Sequence, residues 1–112
     1  MRIVNRKQFL EMPAGTLYSK YQPCIFHELM IKEDSLENDF IHQQIATALE
    51  NTGSNDLMNK AAMLEAIDID LPMDFDCCGR DGCFDEDQLF AVWSDDDRIA
   101  LIERLQECGS NE

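Results

Sequence analysis

Between Ile67 and Asp97 the chain reads IDIDLPMDFDCCGRDGCFDEDQLFAVWSDDD, with eleven Asp and Glu against one basic residue, Arg80. This stretch constrains the fold more than any other. Carboxylates do not enter a core unpaired, so its apolar residues must turn inward while its acids line an edge. Ile67, Ile69 and Leu71 alternate with Asp68 and Asp70, the period of a half-buried strand with a carboxylate face. Asp81–Gly82 marks a tight turn, placing an acidic hairpin tip between flanking strands. Gln88–Trp93 (QLFAVW) is the strongest strand pattern in the chain. Ser94 and Asp97 then form the two ends of a capping-box-like helix start, and Asp95–Asp97 sit where the helix dipole favours anions. Ile99, Leu101, Ile102 and Leu105 give that helix its apolar face, and Gly109 closes it.

Upstream, Asn5 caps a short helix over Arg6–Met12, which Pro13 stops. In Thr16–Gln22 (TLYSKYQ), Leu17, Ser19 and Tyr21 alternate with Thr16, Tyr18 and Lys20 as in a strand. Pro23 breaks it, Cys24–Lys32 forms a second strand, and Asp34–Ser35 is turn-like; an antiparallel hairpin or meander follows. Phe40–Leu49 fits either periodicity, with its first half read as strand. Asn51–Gly53 is a loop, and Ser54 or Asn55 caps a helix reaching about Ala66, with Leu57, Met58, Ala61 and Leu64 on one face. With 112 residues and 45% hydrophobic content, the chain makes a single domain with one core. The expected fold is α+β: a small, mainly antiparallel sheet with two or three helices packed on one face.

Charge narrows the function classes. The formal net charge is −14, and residues 1–50 carry five Lys/Arg and seven Asp/Glu against four and sixteen in residues 51–112. Direct nucleic-acid binding needs neutralising Lys/Arg and is not expected. A basic partner surface is: Asp68, Asp70, Asp74, Asp76, Asp81, Asp85, Glu86, Asp87, Asp95, Asp96 and Asp97 are the candidate contact residues. Carboxylates at every second strand position, about 6.5–7 Å apart, imitate backbone phosphates. Phe84, Phe90 and Trp93 supply apolar anchors where exposed and core where not. The bland alternative for the same acids is a solvated face that maintains solubility.

No cofactor is called for. Asp74-x-Asp76-x-Cys78-Gly79 begins like a calcium loop with Asp85 at its twelfth position. It fails because Cys78 replaces an oxygen ligand, Asp81 takes an apolar position and Asp85 is shorter than Glu. A zinc site from Cys77, Cys78 and Cys83, with Cys24, Cys108, His27 and His42 elsewhere, lacks paired ligand spacing. A metal-binding module around residues 74–85 stays a lesser alternative. The five cysteines are odd in number and no secretory leader is read from Met1–Pro13, so reduced thiols, mostly buried, in a cytoplasmic protein are expected. No catalytic signature surrounds either histidine, and no run of about 18 apolar residues suggests a membrane span.

Met12–Tyr18 (MPAGTLY), Pro23–Phe26 (PCIF) and Asp81–Val92 (DGCFDEDQLFAV) resemble segments of small proteins of unknown function encoded by tailed bacteriophages. The resemblance transfers no catalytic residue. It implies expression in the cytoplasm of an infected bacterium, where small acidic proteins often block host enzymes or defence systems. A homodimer, or an oligomer sequestering a small ligand at a subunit interface, is compatible with it.

Overall fold

The computed structural model describes residues 1–46, 56–66, 73–76 and 78–109. Six strands, β1 (Arg2–Val4), β2 (Thr16–Gln22), β3 (Ile25–Leu36), β4 (Asp39–Gln44), β5 (Cys78–Arg80) and β6 (Leu89–Val92), form one sheet in the order β1-β6-β2-β3-β4-β5. Every neighbouring pair is antiparallel. The helices are α1 (Arg6–Leu10), α2 (Asp56–Ala66) and α3 (Asp95–Gln106). This is the expected small α+β fold.

The topology turns on β6. It lies between β1 and β2 and runs antiparallel to both, so β1 and β2 are parallel and their connection must step across β6. Parallel strands need such a crossover, commonly a helix, and here it is α1. Asn5 caps α1 in a full capping box: its side chain accepts from Gln8 N–H at 2.8 Å, and Gln8 Oε1 accepts from Asn5 N–H at 3.0 Å. The helix ends at Leu10, two residues short of the expected Met12, because Glu11 and Met12 already close its last turn onto Gln8 and Phe9 carbonyls.

The crossover drops Phe9 onto the sheet. Its ring stacks on Phe90 at 4.0 Å and 3°, and meets Tyr18 at 4.7 Å and Phe40 at 5.0 Å in tilted and edge-on geometry. Val4, Met30 and Val92 complete the buried cluster. These sheet residues share one parity in their strands, with Tyr18 opposite Met30 and Val92, and Val4 opposite Phe90. Aromatic rings at these separations add to the gain from area burial. Burial pushes the Tyr18 hydroxyl well above its ordinary pKa; that hydroxyl donates to Met30 Sδ at 3.8 Å.

Several sequence expectations shift. β3 continues to Leu36, and Asp34–Ser35 is no turn but a strand irregularity between Lys32 and Ser35; the chain reverses at Glu37–Asn38, where Glu37 has φ 51°. The first half of Phe40–Leu49 is strand, as β4. The expected tight turn at Asp81–Gly82 is not formed: Gly82 has φ 67°, but the pair lies in irregular chain, the turn falls at Glu86–Asp87, and there is no hairpin. The strands around it, β5 and β6, are separated in the sheet by β2, β3 and β4. Four strand spacings come to about 19 Å, within reach of an extended eight-residue link of about 27 Å. The acids from Asp81 to Asp87 therefore ride on a traversing loop. The proposed Ile67–Leu71 strand and the caps Ser54 and Asn55 lie outside the described residues.

Phe9→Ala is expected to cost about 3–5 kcal/mol, the range for emptying a fully buried aromatic position, since Phe9 is 0% exposed. Urea unfolding should show the midpoint falling with little change in slope. A loss under 1 kcal/mol would mean that α1 is dispensable to the core.

Candidate interaction surface

Polar chemistry begins where the aromatic cluster ends. Lys20, Lys32 and His42 continue the inward parity of Tyr18, Met30 and Phe40 in their strands, so the sheet carries cations on the face that also carries the core. Two carboxylates, Asp39 and Asp81, stand here among Lys20, Arg6 and Arg80. Asp39 opens β4 fully buried; it accepts from Arg80 Nε and from Gly82 N–H at 3.1 and 3.2 Å, with Arg6 Nη2 3.8 Å away. Asp81, 4% exposed at its side chain, sits 2.6 Å from Lys20 Nζ and 3.6 Å from Arg6 Nη1. Arg6 also donates from Nη2 to the Asn38 carbonyl at 2.8 Å, and its guanidinium lies 5.8 Å from the Phe40 ring centre. The result is a chain of alternating charge, Lys20–Asp81–Arg6–Asp39–Arg80. Its function is legible from what it joins: α1, β2, β4, β5 and the start of the traversing loop.

Burial alone would raise the Asp39 pKa, but the bonds from Arg80 and from the Phe40 and Gly82 backbone outweigh it and hold the carboxyl below its usual range. Lys32 is 1% exposed; burial lowers its pKa against the pull of Asp34 and Glu33, and its ammonium donates to the Glu33 carbonyl at 2.9 Å. Burial likewise lowers the pKa of His42, despite Asp81. A cleft of ≈ 520 Å³ opens beside this network, lined by Lys20, His27, Glu28, Met30, His42, Gln44 and Asp81. Its closest charge pair, Lys20–Asp81, is already mutually satisfied.

The eleven candidate contact residues divide. Asp68 and Asp70 lie outside the described residues. Asp81 turns inward, because three cations converge on the buried pair it forms with Asp39, and it presents no free carboxylate to a partner. Asp97 is committed to the start of α3, accepting from Ser94 N–H at 3.2 Å and from the Met1 ammonium at 2.6 Å; these bonds, the ammonium's first, lower its pKa. Asp74 is half-buried and accepts from Asp76 N–H at 3.1 Å. Asp76, Asp85, Glu86, Asp87, Asp95 and Asp96 are exposed. The groups at 85–87 and 95–96 flank opposite ends of β6, so the described acids form separate clusters and not one unbroken ridge. Among the anchors, Phe90 is core, Trp93 half-buried and Phe84 53% exposed.

The cysteines overturn an expectation. Cys24, Cys78, Cys83 and Cys108 are free and exposed, not buried; they fall in turns, on an edge strand and past a helix end, where no core is available to cover them. Cys77 lies outside the described residues. Among the described residues no three His, Cys, Asp or Glu are placed to hold a metal ion, and no helix is long and apolar enough to cross a membrane. No protein family, curated protein or solved structure matches the chain.

Asp39 and Arg6 were not among the residues singled out from sequence. The available signal was parity, which places Lys20 and Lys32 on the strand faces of Tyr18 and Met30 and so demands buried counter-charge or carbonyl partners nearby. Asp39→Ala is expected to cost about 3–5 kcal/mol by removing the buried carboxylate that Arg80 and the Gly82 N–H bond and that shares Arg6 with Asp81. Arg80→Ala, at a 60% exposed side chain, should cost about 1 kcal/mol or less. Equal losses in urea titrations would contradict the assignment of Asp39 as the hub. Acid should also weaken the fold through His42. Its folded pKa lies below the unfolded 6.5, so the unfolded chain binds more protons in between, and stability is lost as pH falls from 6.5 through the folded value. His42→Gln should flatten the stability profile in that window, which melting curves from pH 7 to 5 would record.

Proposed function

We propose that this chain is a non-enzymatic interaction protein whose exposed carboxylates engage a basic surface of another protein. One observation supports this reading above others: the molecule turns cations inward and leaves acids outside. Of nine Lys and Arg, Arg6, Lys20, Lys32 and Arg80 are buried or spent on Asp39, Asp81 and backbone carbonyls. Among the described carboxylates, only Asp39 and Asp81 are correspondingly internal. The fully buried charges, Arg6 and Lys32 against Asp39 and Asp81, cancel, so the formal −14 is carried by the rest of the molecule. A surface charged this way steers toward Lys/Arg-rich patches at a rate that falls with salt.

The exposed cluster Asp85–Asp87 is the better defined contact. Asp85 Oδ1 accepts from Asp87 N–H at 3.0 Å, which fixes the turn, and exposed Glu86 and Phe84 line a cleft of ≈ 440 Å³ with Arg6 and Lys7. An exposed apolar anchor followed directly by three acids suits a basic protein groove that otherwise takes a nucleic-acid backbone. In the setting implied by the phage resemblance, that groove belongs to a host or defence protein.

The test uses immobilised protein and bacterial lysate at low and high salt. A basic protein should be retained at low salt, released at high salt and displaced by competing DNA. The triple variant Asp85→Asn, Glu86→Gln, Asp87→Asn should lose it, with melting temperature unchanged because these side chains are exposed. Retention that ignores both salt and the triple variant would remove the acidic cluster from the account.

A further inference from the structure

β2 and β3 fall out of step at Lys20. Ser19 pairs with Leu29 and Tyr21 with Phe26, so Lys20 alone stands opposite two residues, His27 and Glu28. This is a β-bulge, and its consequence is where side chains point. Tyr18 and Met30 face each other on the core side of the sheet. Tyr21 and Phe26 share the opposite side, where their rings meet at 5.0 Å, and Leu29, next to inward Met30, falls on that side too. Strict alternation leaves room for one inward residue between Phe26 and Leu29. The bulge supplies two. His27 and Glu28 both turn toward Lys20, and with His42 and Gln44 of β4 they line the cleft of ≈ 520 Å³.

The charges of this cleft do not balance. Lys20 and Asp81, 2.6 Å apart, neutralise each other. The Glu28 carboxylate has no ion pair and no hydrogen-bond donor among the described residues. It stands close enough to Tyr18 and His42 to push both pKa values upward. Burial still keeps His42 below its ordinary value, so its ring is neutral at neutral pH, and its buried Nδ1 has no hydrogen-bond partner. One free carboxylate, one amide and one neutral imidazole thus converge beside the apolar side chain of Met30.

We propose that this cleft binds a small alkyl diamine, one ammonium on the Glu28 carboxylate and the methylene chain along Met30 and the Lys20 stem. An ammonium carries three donors and no acceptor, which matches the Glu28 carboxylate, the Gln44 carbonyl and an imidazole lone pair. An anion would meet Glu28 in a chain of charge −14. A metal ion lacks three placed ligands among the described residues. The volume lies in the range of small-molecule sites, about 300–1,000 Å³. The second ammonium remains at the mouth, where the net negative field of the molecule holds it. The Asp85–Asp87 contact proposed above plays no part in this site.

Titration of the full chain with putrescine, a four-carbon diamine, at neutral pH and fixed ionic strength tests the proposal by NMR of the His27 and His42 ring protons. Both rings should shift along one saturable curve, with a dissociation constant on the order of 0.1–1 mM. Glu28→Gln should weaken binding by about tenfold or more, the loss of one hydrogen bond to a charged group. Glu28 is exposed, so the melting temperature of that variant should hold. The triple variant Asp85→Asn, Glu86→Gln, Asp87→Asn removes three times the charge at a distance and should change the constant by less than about threefold. Shifts that never saturate would reduce putrescine to a diffuse counterion and overturn the proposal. So would Glu28→Gln binding as the parent does, or a loss as large in the triple variant.

Discussion

Phe9 stacked on Phe90 joins the two ends of the chain, and most of the architecture depends on that contact. β6 enters the sheet between β1 and β2 only if the segment linking those strands can arch over it, and α1 is short enough to arch and apolar enough to stay down. Five residues do not hold a helix by hydrogen bonding alone. The capping box at Asn5 fixes its start, and one fully buried ring, in contact with Tyr18, Phe40 and Phe90, supplies the tertiary anchor. Among the described residues β1 has three residues, is an edge strand and pairs with β6 alone. Without the crossover it has little else to hold it.

The charge network answers a second problem created by the same topology. The loop from β5 to β6 must cross the sheet, and loops have few contacts of their own. Asp39 and Asp81 pin its beginning, through Gly82 N–H on one carboxylate and Lys20 and Arg6 on the other. Gly82 adopts φ 67°, a conformation in which a side chain would be strained. Buried ion pairs often add little net stability compared with apolar packing; their effect here is to specify a route. That route carries Phe84 and the Asp85–Asp87 cluster to the surface. The interior pairing thus decides where the exterior acid stands.

Local elements were legible where side-chain period and capping agreed. β2 follows the alternation in Thr16–Gln22, and α3 follows Ser94 and Asp97. Two failures have a common origin in relations between distant segments. Asp81–Gly82 carries the local signal of a hairpin turn, yet pairing preferences set by β2 and β1 take β6 to the other side of the sheet. Asp34–Ser35 has turn composition, but the ladder with β4 extends β3 past it to Leu36. The candidate site was read in part. Exposure of Asp76, Asp85–Asp87 and Asp95–Asp96 agrees with acid that cannot be buried unpaired. The capture of Asp81 depends on Arg6 and Lys20, which are distant in sequence, so composition within the acidic stretch could not reveal it.

The amphipathic pattern of α3 specifies that its stripe prefers contact and leaves open whether that contact lies within one chain. Leu101 finds it beside Trp93 and Met1, while Ile99, Ile102 and Leu105 do not. Exposed acids and an exposed apolar stripe impose different demands on neighbours. The acids repel other copies and attract cations over about 8–10 Å at moderate salt; the stripe acts at contact and is indifferent to sign. Glu86 shares a cleft of ≈ 440 Å³ with Arg6, Lys7 and Phe84, and Arg98 lies 3.9 Å from Asp95 on α3, so neither acidic group stands apart from cations. Salt therefore weakens any contact the acids make and leaves one made by the stripe largely untouched.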